Sequence, residues 1–317
     1  MHLILLPTER CNFRCVYCYE SFDLGRMSDD VIRGVVNLLE RAAPSLRWLR
    51  IEWFGGEPLL AFEEIERIQN GVARLGSEFP ELSFAGAMTT NGYLLSTPRL
   101  MQLVNWGVSS FQVSLDGDEE AHDERRYLAN GRGSWQLIYR NLLAAAATDL
   151  QFLTTLRIHV DRLNCGPVEE LIERLAQDFR GDTRFELLFQ PVSRLGGEKD
   201  ASLAILGDGA PEVMGRLVSM AESLGLSVRS GGERTPCYAA MPNSLVIRPN
   251  GQIAKCTVAL NDPRNHLGWL HSDGRLELEQ TRLYPWLRGL ESGDLEALEC
   301  PLKALQESSS PVLPVLR

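Results

Sequence analysis

Six short apolar runs alternate with amphipathic helical patterns over the first 225 residues, and this rhythm constrains the fold of the 317-residue chain more than any other feature. The strand candidates are Leu3–Leu6, Leu49–Trp53, Leu82–Thr89, Ser109–Leu115, Leu153–Val160 and Phe185–Gln190. Between them, Ser28 is placed to cap a helix with Val31, Val35, Leu38 and Leu39 on one face, and Phe62–Leu75 repeats the pattern. Pro98 opens a third helix, Ser134 is placed to cap a fourth, and Pro167 opens a fifth running to Phe179. Consecutive βα units imply a parallel sheet, open or curled into a partial barrel. Near Gly225 the rhythm changes. Ser244–Arg248 and Gln252–Cys256 flank a Pro249-Asn250-Gly251 turn, a hairpin signal that marks a small second domain. The division expected is 1–225 and 226–317, with an ill-ordered Ser/Pro-rich tail from Ser308.

A net charge of −10 argues against a sequence-independent grip on nucleic acid. The apolar start, His2 to Pro7, is too short for a signal peptide, and nothing approaches the roughly 20 apolar residues of a membrane span. The expectation is a cytoplasmic protein without membrane or nucleic-acid partners.

Seven cysteines in such a chain do not read as a disulfide framework, and three fall within eight residues. Cys11-x3-Cys15-x2-Cys18 directly follows the first predicted strand, on the loop where βα barrels carry their active sites. Three thiolates can hold three irons of a [4Fe–4S] cluster and leave the fourth open to a ligand. Zinc is the alternative, but it takes four ligands and no fourth Cys or His lies nearby.

This motif, with Tyr17 before the last cysteine, resembles the signature of the radical S-adenosylmethionine (SAM) superfamily. Further landmarks follow in order over about residues 1–195. Gly55-Gly56-Glu57-Pro58 follows strand two, where the family pattern binds the SAM amino group. Thr89-Thr90-Asn91-Gly92 follows strand three, and Ser114-Leu115-Asp116-Gly117 ends strand four, where polar residues hold the ribose. His122-Asp123 to Arg126, with Gly131-x-Gly133-Ser134, is similar to the peptide-modifying branch, and Arg157 matches a position that faces the SAM carboxylate. Independently of any family, each landmark ends a different predicted strand, so a barrel gathers them on one face. A Gly-Gly pair admits close backbone approach, while Glu57 can accept from an ammonium and Asp116 from vicinal hydroxyls.

Cys237-x13-Gly251-x4-Cys256, with Asn265-His266-Leu267-Gly268, resembles the opening of a SPASM domain. Of the later cysteines in that pattern only Cys300 is present; Lys303, Ser309 and Leu313 follow, so the segment looks like the shortened Twitch form. The resemblance implies one auxiliary [4Fe–4S] cluster on Cys237, Cys256 and Cys300, against the alternative of plain buried thiols. Cys165, after strand five, is either a hydrogen-atom donor near the active site or a small residue at a helix start.

The fold expected is α/β: a partial (β/α)6 TIM barrel followed by a small α+β Twitch/SPASM-like domain. The activity implied is reductive cleavage of SAM to a 5′-deoxyadenosyl radical that abstracts hydrogen from a substrate, most readily a precursor peptide. Crosslinking and epimerisation stay open. A flavodoxin or ferredoxin is the implied electron donor, and leader recognition falls to a separate protein or to the catalytic domain itself. The alternatives are a radical dehydrogenase, epimerase or decarboxylase of a sugar or aminocyclitol, and a non-enzymatic iron–sulfur or zinc protein, which has no need of Glu57 or Asp116.

Overall fold

The computed structural model describes residues 1–229 and 235–307; the predicted tail from Ser308 lies outside the described residues. The chain runs β1 (His2–Leu5), α1 (Asp29–Ala42), β2 (Trp48–Trp53), α2 (Phe62–Glu78), β3 (Ser83–Thr90), α3 (Thr97–Asn105) and β4 (Val108–Ser114). It continues through α4 (Glu119–Arg125), α5 (Trp135–Ala146), β5 (Leu153–Val160), α6 (Cys165–Phe179), β6 (Phe185–Pro191) and α7 (Ala210–Ser223). β7 (Ser244–Ile247), β8 (Gln252–Ala254), β9 (Gly268–Leu270) and β10 (Leu276–Leu278) follow, then α8 (Gln280–Ser292), α9 (Leu295–Glu299) and α10 (Pro301–Glu307).

β1 to β6 are parallel and lie in sequence order, as alternating βα units require. Leu3, Leu5, Ile51, Trp53, Val113 and Leu156 are buried on the face that the helices cover. The ring does not close through β1, because its second side is taken by β7, paired in parallel from His2↔Ser244 to Leu5↔Ile247. β8, β9 and β10 add on antiparallel, so one ten-stranded sheet runs through both predicted domains.

Local sequence explains most helix ends. The Ser28 side chain accepts from Val31 N–H, and Asp29 and Asp30 face the positive end of the α1 dipole. Ser134 does not cap α5 as its position predicts. Asp123 does so from α4, its Oδ1 accepting from Ser134 N–H at 2.7 Å and Trp135 N–H at 2.9 Å. Gly133 leaves the space for it, since a Cβ there would meet Asp123 Oδ2 at 1.9 Å. α6 starts at Cys165, two residues before Pro167, which sits in the first turn where a missing N–H costs no helical bond.

Candidate functional site

The loop after β1 carries the first three cysteines, and two neighbours hold its backbone. Along one side it zips to residues 125–129: Val16 N–H donates to Arg125 O, Arg14 N–H to Tyr127 O, and Ala129 N–H to Asn12 O, at 2.7–2.9 Å. Phe13 and Leu128 form an antiparallel bridge. On the other side lies the turn after β2. Gly55 adopts φ +119°, and a Cβ there would stand 2.2 Å from Thr8 O. One on Gly56 would stand 2.5 Å from Glu9 O. The glycine pair therefore gives passage to the strand that leads into Cys11, which is a close approach to the chain's own backbone.

Glu57 is fully buried, and its carboxylate accepts from Leu59 N–H at 3.0 Å, Thr90 Oγ1 at 2.8 Å and Asn91 N–H at 2.7 Å. Burial pushes its pKa up, against these amide donors. Glu57 thus ties the β2 turn to the end of β3, and Asn91 Nδ2 passes the tie on to Asn12 Oδ1 at 2.8 Å.

Asp116 is also fully buried. It accepts from Tyr17 Oη–H, from His159 N–H at 3.0 Å, and faces His159 Nδ1 at 3.1 Å. Burial raises its carboxyl, but His159 and Arg126 outweigh this and hold it below the usual range. Arg126 Nη1 donates to Tyr17 Oη at 2.6 Å. Behind them His122, pushed down to about 3 by burial, is neutral. Its Nδ1 accepts from Asp116 N–H at 3.3 Å, so Nε2 carries the proton toward Ser134 Oγ at 3.0 Å, which itself donates to Arg126 O at 2.6 Å. The stretch from His122 to Ser134 is a brace that aims Arg126.

These braces surround a cavity of about 440 Å3 at the C-terminal ends of the parallel strands. Cys11, Cys15, Tyr17 and Cys18 form one wall. Gly55, Gly56, Asn91, Ser114, Arg126 and Arg157 form much of the rest. Glu57 and Asp116 stand outside the lining with their oxygens engaged by protein donors, so they position the residues that face the space. His159 also lines it, a residue the sequence reading missed. The available signal was its position two residues from Arg157 on β5, which puts both on one face.

The Nε atoms of Arg126 and Arg157 are buried without hydrogen-bond partners among the described residues, which suits a ligand carrying acceptor oxygens. Burial pushes the three thiols up, Cys18 to about 12. Phe13 N–H donates to Cys11 Sγ at 3.3 Å, and Glu20 N–H bonds Cys18. Among the described residues no three Cys, His, Asp or Glu side chains are gathered so as to hold a single metal ion. Three half-buried thiols facing a shared cavity still fit a cluster, because a bound metal supplies the charge that deprotonates them.

The second cysteine group comes from three elements. Cys237 precedes a 3-10 turn, Cys256 follows β8 and Cys300 ends α9, where Leu298 O accepts from Cys237 N–H at 2.8 Å. Burial pushes Cys256 up, with Cys237 and Cys300 adding to the push, so the three thiols are neighbours. Asn265 Oδ1 accepts from Lys255 N–H and Cys256 N–H at 2.8 and 3.0 Å. Tyr238 and Thr257, each beside one of these cysteines, reach the wall of the main cavity. Cys165 does not: it is the first residue of α6, and its Sγ donates to Asp161 O at 3.1 Å.

Residues 5–175 match the Radical SAM superfamily. The chain belongs to that superfamily. It is therefore a radical SAM enzyme, and membership implies a [4Fe–4S] cluster and SAM as cofactors. This radical SAM chain is 32% identical to the GTP 3′,8-cyclase of Microcystis aeruginosa over 58% of its own length and 54% of that protein, so it spans about half of such relatives. It is 24% identical to the PqqA peptide cyclase of Gluconobacter oxydans over 82% of its length and 70% of the relative. Its fold is shared with anSMEcpe bound to AdoMet and the Cp18Cys peptide, with TM-score 0.65, 18% identity, and 89% and 79% of the two chains covered. Streptococcus suis SuiB bound to the precursor peptide SuiA gives 0.58 at 12% identity, covering 86% and 62%. No helix among the described residues is long and apolar enough to cross a membrane.

Proposed function

We propose that this radical SAM enzyme acts on a peptide, with Cys11, Cys15 and Cys18 as the cluster ligands and Arg126 and Arg157 as donors to SAM. When bound, the cluster and SAM together supply a 5′-deoxyadenosyl radical that removes hydrogen from the substrate. Tyr17, Asp116 and His159 set the wall against which the cofactor lies, and Glu57 holds the Gly55–Gly56 turn and Asn91 in register. Residues from 226 on form an auxiliary unit whose Cys237, Cys256 and Cys300 hold a second cluster beside the cavity. The observation that carries the peptide reading is the extent of the PqqA peptide cyclase match: at 82% of the chain it must pass beyond β6 and α7 into that unit. The GTP 3′,8-cyclase match, at 58%, favours a small-molecule substrate instead.

A deuterium-transfer experiment decides between them. The reduced, reconstituted enzyme is incubated with SAM and a side-chain-deuterated peptide encoded beside its gene. Deuterium in the 5′-deoxyadenosine, with a changed peptide mass, is the expected outcome. Label that enters only from GTP or a sugar would end the peptide reading.

A further inference from the structure

A second cavity of about 250 Å3 opens beside the first and shares Tyr19, Glu20, Phe22, Leu195 and Val258 with it. The two differ in charge. The main cavity presents Arg126 and Arg157 together with Glu20 and Glu52, whereas Glu9, Glu20 and Asp262 line the side cavity and no Lys or Arg does. Two of these carboxylates are already neutralised. Glu9 is gripped by Arg248 at 2.7 and 3.0 Å, and Asp262 accepts from Arg264 Nε at 3.0 Å. Glu20 is not. Its Oε2 is buried and has no hydrogen-bond partner among the described residues. Arg248 acts on it through charge but makes no hydrogen bond to it, its remaining donors going to Leu260 O at 2.9 Å, Gln252 Oε1 at 3.1 Å and Asn261 Oδ1 at 3.5 Å.

A buried carboxylate oxygen without a donor costs free energy that folding alone does not recover, so it marks a place completed by a ligand. Next to it, Phe22 is held at φ +59°, the one non-glycine residue with positive φ among the described residues, and its ring lies under the Arg14 guanidinium at 4.8 Å. Phe22 itself lines both cavities.

We infer that the side cavity is a subsite for a cationic side chain, the ammonium of Lys or the guanidinium of Arg, of the same extended substrate whose reacting residue occupies the main cavity, with Glu20 as its specificity-determining partner. This rests on the peptide reading above. The charge division supports it: cations line only the main cavity, and the side cavity offers a carboxylate to a cation with no Lys or Arg in its lining. Glu20 lies on the wall common to both, so one chain threading from one to the other passes it.

The test is selection of a random hexapeptide library on the reconstituted, SAM-loaded holoenzyme, run in parallel on the Glu20→Gln variant. Iron content and melting temperature, matched between the two proteins, establish that the variant is folded. The wild type is expected to enrich Lys or Arg at one position by tenfold or more, and Glu20→Gln to lose that enrichment. A selected Lys peptide should bind the variant about ten- to a hundredfold more weakly, while its norleucine analogue binds both alike. Enriched peptides without a basic position, or the same basic preference in both proteins, would overturn the subsite and leave the peptide reading standing. Enrichment of no peptide at all would overturn both. If Glu20→Gln weakens SAM binding but not peptide selection, Glu20 serves the SAM ammonium and the subsite assignment is wrong.

Discussion

The two cysteine groups are brought together by opposite routes. Cys11, Cys15 and Cys18 lie on one loop, and the chain fixes that loop by backbone pairing to residues 125–129 and by close passage of the Gly55–Gly56 turn. Cys237, Cys256 and Cys300 come from a 3-10 turn, a strand end and a helix end, and only the packed C-terminal segment brings them together. A site carried by one loop has its spacing along the chain set by sequence, and its neighbours fix only the shape of that loop. A site gathered from three elements exists only while those elements are docked. The first should therefore behave as a unit of chemistry, and the second as a unit of folding.

The largest effect expected is from Cys15→Ala, which should abolish 5′-deoxyadenosine formation from SAM, a loss of at least a thousandfold, while the melting temperature changes little. Stoichiometric zinc without labile sulfide in the wild type would break the comparison at its root. Next comes the triple alanine variant of Cys237, Cys256 and Cys300. Wild type should hold about eight irons and this variant about four, given one [4Fe–4S] cluster per group. Slow SAM cleavage should persist without substrate product, and full iron retention would show that these are structural thiols. Mössbauer spectra of both variants count the clusters directly.

Gly55→Ala probes the backbone of the first site. A methyl group 2.2 Å from Thr8 O, at φ +119°, should cost about 3 kcal/mol, read as a fall in the urea midpoint, and should loosen SAM binding with it. A variant of wild-type stability would show that the loop before Cys11 yields freely. The smallest effect is a pH dependence. His122 has its folded pKa depressed from 6.5 to about 3, so below 6.5 the unfolded chain binds the extra proton. The stability it contributes is complete above pH 6.5 and is lost as pH falls, by about 2 kcal/mol between pH 6.5 and 5. His122→Gln should flatten that part of the stability curve, and an unchanged slope would remove His122 from the brace behind Arg126.

The same contrast governs what can be read from sequence. All six barrel strands fall within one residue of their predicted bounds at each end, because short apolar-rich segments with burial at a two-residue period stand out between the helical patterns. The first cysteine group is likewise legible, being local in sequence. What sequence does not show is which polar groups satisfy each other. Glu57 and Asp116 read as ligand acceptors, yet they are occupied by Thr90, Asn91, Tyr17 and His159, partners up to 99 residues away. Cys165 reads either as a hydrogen-atom donor or as a small residue at a helix start, and the structure has it in the second place, its thiol turned to Asp161 O. The β1–β7 pairing was invisible for a related reason: four-residue strands 242 positions apart carry no joint signal.

That pairing has a consequence for the life of the chain outside catalysis. Until Ser244–Ile247 has been synthesised and docked, β1 is an open edge, presenting unpaired backbone groups beside the buried side chains of Leu3, Ile4 and Leu5. Nascent or truncated chains ending before residue 244 would therefore expose a sticky template for pairing with their neighbours, and should accumulate as aggregates. The C-terminal segment is in this sense a guard against self-association, and it performs that duty even in a protein stripped of every cofactor.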